Sequence, residues 1–332
     1  MKNESMTGHD VLITGVNGFI ASHLAEHLVQ MNVSVRGVAR RPAAAVWLAE
    51  QGIEVTPTHL SDRDALRRAM DGCRRVVHAA AWTGGAELPP EVGYQVNVDG
   101  TANVLAAARA SGVERLIYIS SVAVYGSNRA PLIDETAPTP RVGQAYPDSK
   151  IVAESLVRES GLPFVIIRPA STYGPRGTAW TVGPIEQIKA GRLVLLGQDR
   201  GLVTPGYIEN VVDGLILALN HDNAPGETFN MCDDQAVTYR TFYLAYARMF
   251  GIDTLPTLPG IVAILARFGP VNLLRRLARR PTAGAWSRHF RFNPSQFSVA
   301  KARRVLGYDP KIGFEEGMRR TEAWLRASGH IP

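Results

Sequence analysis

Six short runs rich in apolar and β-branched residues recur along the first half of the chain, and stretches of helical character separate them. They are VLIT (11–14), VSVRGV (33–38), IEVT (53–56), RVVHAA (75–80), RLIYIS (115–120) and FVIIRP (164–169). Apolar runs of this length suit strands buried on both faces, and their alternation with helices is the pattern of a parallel sheet. The helix after the first run places Ile20, Leu24, Leu28 and Met31 on one face, and the helical segment 96–112 ends at Gly112, a residue suited to a C-cap. The expected fold class is α/β: a doubly wound parallel sheet with helices on both faces.

After Pro169 the pattern changes. Residues 170–206 are rich in Gly, Pro and aromatics and read as loops around one helix near 185–190. ENVVDGLILALN (209–220) reads as an apolar helix and ETFNMC (227–232) as a further strand, while 235–332 reads as helical with proline breaks and no strand rhythm. A chain of 332 residues exceeds one simple core. The expected division is a sheet domain over 8–174, rejoined by 207–232, and a smaller, mainly helical C-terminal substrate-binding domain made of 175–206 and 233–332.

Two cysteines, Cys73 and Cys232, lie far apart and form no metal-ligand spacing, which suits a reducing compartment. The polar N-terminus lacks the apolar run of a secretion signal, and LPGIVAILARFG is too short to span a bilayer, so the cytoplasm is the expected location. The net charge of +6 is scattered, without the basic-aromatic alternation of nucleic-acid binders. Its one cluster, VNLLRRLARR (271–280), reads as a solvated helix face, with a membrane surface or an acidic carrier protein as the alternative reading. His23 and His27 stand four apart but HLAEH is not the HExxH pattern, and no metal site is expected. Asp134 and Glu135 lie in a proline-rich loop and read as solvated.

TGVNGFIA (14–21) stands where the first strand turns into the first helix. Gly15 permits the tight turn, Gly18 lets backbone approach a pyrophosphate at the helix N-terminus, and Ala21 is small enough for the third glycine position of the usual fingerprint. This placement points to a dinucleotide site. At the end of the second strand an NAD site normally carries a carboxylate for the ribose hydroxyls. Here Ala39 is followed by Arg40 and Arg41, and an arginine such as Arg40 suits the 2′-phosphate of NADP(H) rather than NAD(H).

AYPDSK (145–150) contains Tyr146 and Lys150 at a four-residue spacing, a match expected by chance about 0.15 times with ten tyrosines and five lysines. Its setting decides its meaning. TGVNGFIA, HAAAW (78–82), YQVNVDGTANV (94–104), YISSVAVYG (118–126), YPDSK (146–150) and IIRPASTYGP (166–175) occur in the order and spacing of the extended short-chain dehydrogenase/reductases, and LGYDPKIGFEEGMRRTEAWLR (306–326) resembles that family's C-terminal end. The resemblance therefore runs from about residue 10 to 326. It implies a Rossmann sheet and a catalytic pair of Tyr146 and Lys150, with Ser121 on the substrate oxygen and Asn97 near the nicotinamide side. Ser120 competes with Ser121. It also implies cofactor contacts from Gly15, Asn17, Gly18, Phe19, Ile20, Arg40, Leu60, Ala79, Ala80, Ala81, Tyr146, Lys150, Pro169 and Ser171. Where the family usually places an Asp to meet the adenine, this chain has His59, a departure that leaves adenine recognition without its usual acceptor. Asp62 reads as a helix N-cap. Trp82, Val122, Tyr173 and Tyr207 are candidate substrate-lining residues, with Trp180 a further cleft aromatic; each aromatic fits a domain-interface core as well.

The chemistry suits these residue types. A free phenol titrates near ~10, so Tyr146 needs positive charge nearby for proton transfer at neutrality, and Lys150 is placed to supply it. Pro147 is tolerated only in a first helical turn, which puts Tyr146 at a helix edge. Within the family the sequence resembles most the branch of 3β-hydroxysteroid dehydrogenases and dihydroflavonol reductases. This implies an NADP(H)-dependent oxidoreductase acting on a carbonyl or secondary alcohol of a largely apolar small molecule, with a homodimer as the expected assembly. The alternative is a nucleotide-sugar 4-epimerase with tightly bound NAD. Val122 and Ala123 stand where sugar dehydratases need an Asp-Glu pair, and Val203 and Thr204 stand where sugar-nucleotide enzymes commonly carry an arginine, for which Arg176 or Arg200 would have to substitute. The apolar segment 255–274 suits a greasy substrate. A non-catalytic nucleotide sensor on the same fold is disfavoured by the retained Tyr-Lys pair.

Overall fold

The computed structural model describes residues 10–41, 46–84, 89–193, 195–196, 201–258 and 294–332. The basic cluster at 271–280 and most of the apolar segment 255–274 lie outside the described residues. Seven strands, β1 (Val11–Thr14), β2 (Val35–Ala39), β3 (Glu54–Pro57), β4 (Arg75–His78), β5 (Arg115–Ile119), β6 (Phe164–Pro169) and β7 (Thr228–Met231), form one parallel sheet in the order β7-β6-β5-β4-β1-β2-β3. Among the described residues the α-helices are α1 (Phe19–Gln30), α2 (Val46–Ala49), α3 (Arg63–Met70), α4 (Pro90–Ala110), α5 (Ala145–Arg158), α6 (Gly183–Lys189), α7 (Ile208–Asn220), α8 (Tyr239–Arg248), α9 (Ala300–Leu306) and α10 (Phe314–Ala327).

Successive residues of the central strands feed two separate cores, because side chains alternate across a sheet. Leu12, Leu116, Tyr118 and Ile166 pack with Leu66 of α3, Val104 of α4 and Val157 of α5. Ile13, Ile117, Val165 and Ile167 pack on the other face with Leu24 of α1 and Val211 and Leu215 of α7. Burial on both faces explains why these strands read as unbroken apolar runs. Asp62 caps α3 by accepting from Ala65 N at 2.9 Å.

Three features depart from the sequence expectations. Met31 lies beyond α1 at its C-cap and is 54% exposed, because Asn32 turns the chain with φ +61° and ends the apolar face at Leu28. The fourth helix starts at Pro90 rather than near 96, with Pro90 in its first turn, where a missing N–H costs nothing. The C-terminal region is not free of strands. Val237–Thr238, Thr257–Leu258 and Gln296–Phe297 pair with Leu202–Val203, Leu195–Leu196 and Leu132–Ile133 respectively. Two-residue strands carry no alternation from which to read them.

Asn210, fully buried in α7, ties the C-terminal segment to the sheet. Its Nδ2 donates to Asp233 Oδ1 (2.7 Å) and to the Ile312 carbonyl (2.8 Å), and its Oδ1 accepts from the backbone of Lys311 (3.0 Å) and Ile312 (3.1 Å). Replacing Asn210 with Ala strands these groups, and the expected loss is at least about 2 kcal/mol in a urea unfolding titration. A change within about 0.5 kcal/mol would show that this clamp contributes nothing.

Candidate active site

The strand order reverses between β1 and β4, so their carboxyl ends open a crevice. Gly15 turns there with φ +66°, and a Cβ on it would fall 2.7 Å from the Ala80 Cα, so no side chain fits. Gly18 caps α1 and donates to the Gly15 carbonyl at 2.8 Å. A cavity of about 680 Å³ lies along this edge. Gly15, Asn17 and Gly18 line it from the first turn, Arg40 and Leu60 from the ends of β2 and β3, and Ala79, Ala80, Ala81 and Trp82 from the segment after β4. Phe19 and Ile20 sit in the first turn of α1. Pro169 ends β6, Ser171 follows it, and Tyr146 and Lys150 belong to α5; none of these borders that cavity.

His78 fixes the floor of the crevice, a role the sequence reading did not assign. It is 2% exposed, with Nδ1 2.8 Å from Thr14 Oγ1 and Nε2 3.0 Å from Thr101 Oγ1. Thr14 Oγ1 also accepts from Ala80 N (3.2 Å), and Thr101 Oγ1 donates to the Asn97 carbonyl (2.6 Å). Burial, then the Lys150 charge, pushes the imidazole down to about 3, so it is neutral. Asn97 continues the chain of contacts: its Oδ1 accepts from Trp82 N (2.7 Å), and its Nδ2 donates to the Trp82 carbonyl (2.9 Å) and Ser149 Oγ (2.9 Å). Its amide brackets the β4–α4 loop onto α5.

α5 begins at Ala145, so Tyr146 and Pro147 occupy its first turn and Lys150 follows one turn later. Ser121 starts the helical turn Val122–Tyr125 after β5, its Oγ accepting from Ala123 N at 3.1 Å. Burial pushes the Tyr146 phenol up to about 12, and the Ser121 hydroxyl near it opposes the rise. Lys150 is 3% exposed; Nζ donates to the Ile119 carbonyl (2.8 Å) and stands 4.8 Å from the Tyr118 ring centroid. Burial pulls it down to about 7, against the Glu154 carboxylate. Of the two serines, Ser120 turns the other way and donates to Glu154 Oε1 at 2.6 Å.

Glu154 lies at the centre of a buried network. Arg168 grips it with two bonds, Nε to Oε1 (2.9 Å) and Nη2 to Oε2 (2.7 Å), and donates through Nη1 to Tyr125 Oη (2.8 Å), which donates to Asn230 Oδ1 (2.8 Å). Arg168 and the charges around it hold the Glu154 carboxyl below its usual range despite burial. The sequence offered one signal for this pair: an arginine inside FVIIRP, a run otherwise buried, needs an anionic partner.

The substrate-lining candidates divide. Trp82 is half-buried and borders the cavity, its ring against Gly93, where a Cβ would come within 2.2 Å of it. Val122 is 6% exposed beside Ser121. Tyr173 and Tyr207 do not border this cavity. Both are 0% exposed, with ring centroids 5.4 Å apart, and Gly317 of α10 has no side chain to obstruct the Tyr173 hydroxyl. They belong to an aromatic core with Phe242 and Phe314 that holds α10 down. Trp180 stacks edge-on to Phe242 at 5.7 Å in the same cluster. Glu135 is half-buried rather than solvated, accepting from Asn230 N at 2.7 Å. His23 and His27 each turn Nδ1 onto the carbonyl four residues back. Among the described residues no helix is long and apolar enough to cross a membrane.

The chain is similar to known proteins. The model of the NAD dependent epimerase/dehydratase family matches residues 11–232. The chain is 30% identical over 314 residues to a 4-hydroxy-2-methyl-3-oxo-4-farnesyl-3,4-dihydroquinoline-1-oxide ketoreductase of Stigmatella aurantiaca, covering 92% of this chain and 93% of that one. It is 30% identical over 342 residues to a 3 beta-hydroxysteroid dehydrogenase/Delta 5-->4-isomerase of Mycobacterium tuberculosis, covering 93% and 88%. Among solved structures, UDP-glucose 4-epimerase of Thermotoga maritima superimposes with a TM-score of 0.76 at 23% identity, covering 96% of this chain and 99% of that one, a likeness of fold.

The buried lysine makes stability depend on pH with a definite sign. Between about 7 and the ordinary lysine value the unfolded chain holds the proton and the folded chain releases it, so stability rises with pH across that interval. Below about 7 the full cost of burying the ammonium is present. Lys150→Met is expected to raise the stability of the ligand-free protein at pH 7 and to flatten the rise between pH 7 and 10, read by urea unfolding at each pH. Parallel curves for the two proteins would contradict this.

Proposed function

The chain belongs to the NAD dependent epimerase/dehydratase family, and from that premise we propose that it is an NADP(H)-dependent oxidoreductase of the extended short-chain type. It moves hydride between the nicotinamide and a carbonyl or secondary alcohol of a largely apolar small molecule. The observation that carries this reading is the placing of Tyr146 in the first turn of α5 with Lys150 one turn further along, and of Ser121 at the turn after β5 near the Tyr146 phenol.

Gly15 and Gly18 at the start of α1 fit a pyrophosphate, and the cavity extending to Arg40 has room for the adenosine half of a dinucleotide. The bound dinucleotide supplies or accepts the hydride. Ser121 and Tyr146 hold the substrate oxygen between their hydroxyls, and Tyr146 gives that oxygen its proton when a carbonyl is reduced. A phenol raised to about 12 is protonated at neutral pH, which suits the donor role. Lys150 uses one N–H on the Ile119 carbonyl and keeps two for the nicotinamide ribose. Asn97 acts by holding Trp82 and Ser149 in register rather than by touching substrate.

Reduction of an apolar ketone fits better than sugar epimerisation. Arg176, a candidate diphosphate clamp, is committed to Glu26 in a two-bond ion pair and stands 4.8 Å from the Trp47 ring centroid. Arg200 lies outside the described residues. The two relatives above act, by their names, on a farnesylated dihydroquinoline oxide and on hydroxysteroids. In this reading 175–206 and 233–332 supply the substrate side and the protein works in the cytoplasm as a homodimer. The outer faces of α4 and α5 are the contact, with Ala102, Ala106 and Ala110 permitting close approach; Ala107 is buried in the protein's own core.

Tyr146→Phe is expected to lower turnover by about 10²–10⁴-fold with NADPH affinity nearly unchanged, measured by steady-state kinetics and fluorescence titration. Equal turnover would sink the mechanism. Arg40→Ala is expected to weaken NADPH by about ten- to hundredfold and NADH hardly at all; an unchanged ratio of the two affinities would refute the cofactor assignment.

A further inference from the structure

We propose that Glu154 is the counter-charge of Lys150, and that Arg158, at the exposed end of the same helix face, sets how much of that charge Lys150 feels. Glu154 and Arg158 are positioning residues: neither borders the cavity, and both act on the site through Lys150. The inference rests on the role given to Lys150 above.

Tyr146, Lys150, Glu154 and Arg158 recur every four residues along α5, so they form one row on a single helix face. The row runs from the first turn of the helix to its last residue. Lys150 and Glu154 are buried, whereas the Arg158 side chain is 41% exposed. A phenol, an ammonium, a carboxylate and a guanidinium therefore follow one another from the site to solvent.

The ammonium needs a counter-charge where it stands. The titratable groups near it are Tyr146, Tyr118 on β5 and His78 on β4, and none of these is an anion at neutral pH. From α4, Asn97 and Thr101 reach Ser149 and His78 and carry no charge. From β6 comes Arg168, a cation already bound to Glu154. Among the described residues Glu154 is the carboxylate whose charge bears on Lys150, and it opposes the effect of burial there. The ammonium form matters for a definite reason. It has three N–H donors, the neutral amine two, and one is committed to the Ile119 carbonyl. Only the charged form keeps two for the nicotinamide ribose.

Glu154 does not serve Lys150 alone. Arg168 binds it at 2.9 and 2.7 Å, Ser120 donates to it at 2.6 Å, and Arg158 Nη2 donates to Oε2 at 2.8 Å. Ser120 and Arg168 are buried, so Arg158 is the partner that reaches solvent. Removing its charge leaves the carboxylate with one arginine in place of two, and its field at Lys150 grows.

Lysine labelled with ¹³C tests this on the full chain, since five lysines give few signals and Lys150→Met assigns the relevant one. The Lys150 Cε resonance is followed against pH, from a wild-type midpoint of about 7. Glu154→Gln is expected to lower that midpoint by about one pH unit. Arg158→Gln is expected to raise it by about 0.3, a smaller effect because solvent screens the guanidinium. Arg158→Lys, which keeps the charge, should hold the wild-type value. A merely structural role would loosen the site in both Gln variants and move both midpoints up, toward the ordinary lysine value. That result, or no movement in either, overturns the inference. Should Glu154→Gln fail to fold, the Arg158 variants decide: equal midpoints in Arg158→Gln and Arg158→Lys overturn it. NADPH affinity, read by fluorescence titration, should fall on the alkaline side of the same midpoint and shift with it. If the midpoints move as expected while that fall stays in place, the inference stands and the role of Lys150 on the ribose fails.

Discussion

The buried pairing of Glu154 with Arg168 is the interaction on which the candidate active site depends. Glu154 lies one turn beyond Lys150 on α5, and Arg168 comes from β6, so two bonds pin the helix carrying Tyr146 and Lys150 to the sheet. Ser120 joins from the end of β5, and Tyr125 and Asn230 extend the network to the neighbouring turn and to β7. The Arg168 and Glu154 side chains are 3% and 1% exposed, so neither charge has water as a fallback. Removing one partner of such a pair typically costs about 3–5 kcal/mol, because the survivor is left uncompensated. Ser120 and Ser121 consequently face opposite ways, one into this clamp and the other onto Tyr146.

A second set of contacts joins the cavity edge to the Tyr146 site. Thr14, His78, Thr101 and Asn97 form a continuous hydrogen-bonded line from the end of β1 to the first turns of α5. A neutral histidine serves here because it offers one donor and one acceptor at fixed separation, and burial keeps it neutral. Gly15, pressed against Ala80, removes any freedom between the first turn and the β4 loop. The cavity and the Tyr146 site are thus held in one frame by hydrogen bonds between residues distant in sequence.

Much of this was legible in the residue pattern, for physical reasons. Strands buried on both faces read as apolar runs, and all seven sheet strands fall on runs identified from sequence. The placement of Tyr146 in the first turn of α5 follows from Pro147, and the capping role of Asp62 from its position before α3. What could not be read depends on partners far along the chain. Nothing local shows that Tyr173 is buried against Gly317, that Asn97 brackets Trp82, or that Arg168 meets Glu154. The two-residue strands after residue 236 exist through pairing alone, and Glu135 is drawn inward by Asn230, nearly a hundred residues away.

The central claim, that hydride is exchanged with a freely dissociating NADP(H) and not returned to the same substrate, has a direct measurement. Freshly purified protein is denatured, the released dinucleotide is identified by absorbance and mass, and NADPH and NADH are titrated into the same preparation. The account predicts empty or readily exchanged sites that prefer NADPH. Stoichiometric NAD that does not exchange would contradict it, because an epimerase must keep the cofactor that holds its substrate's hydride.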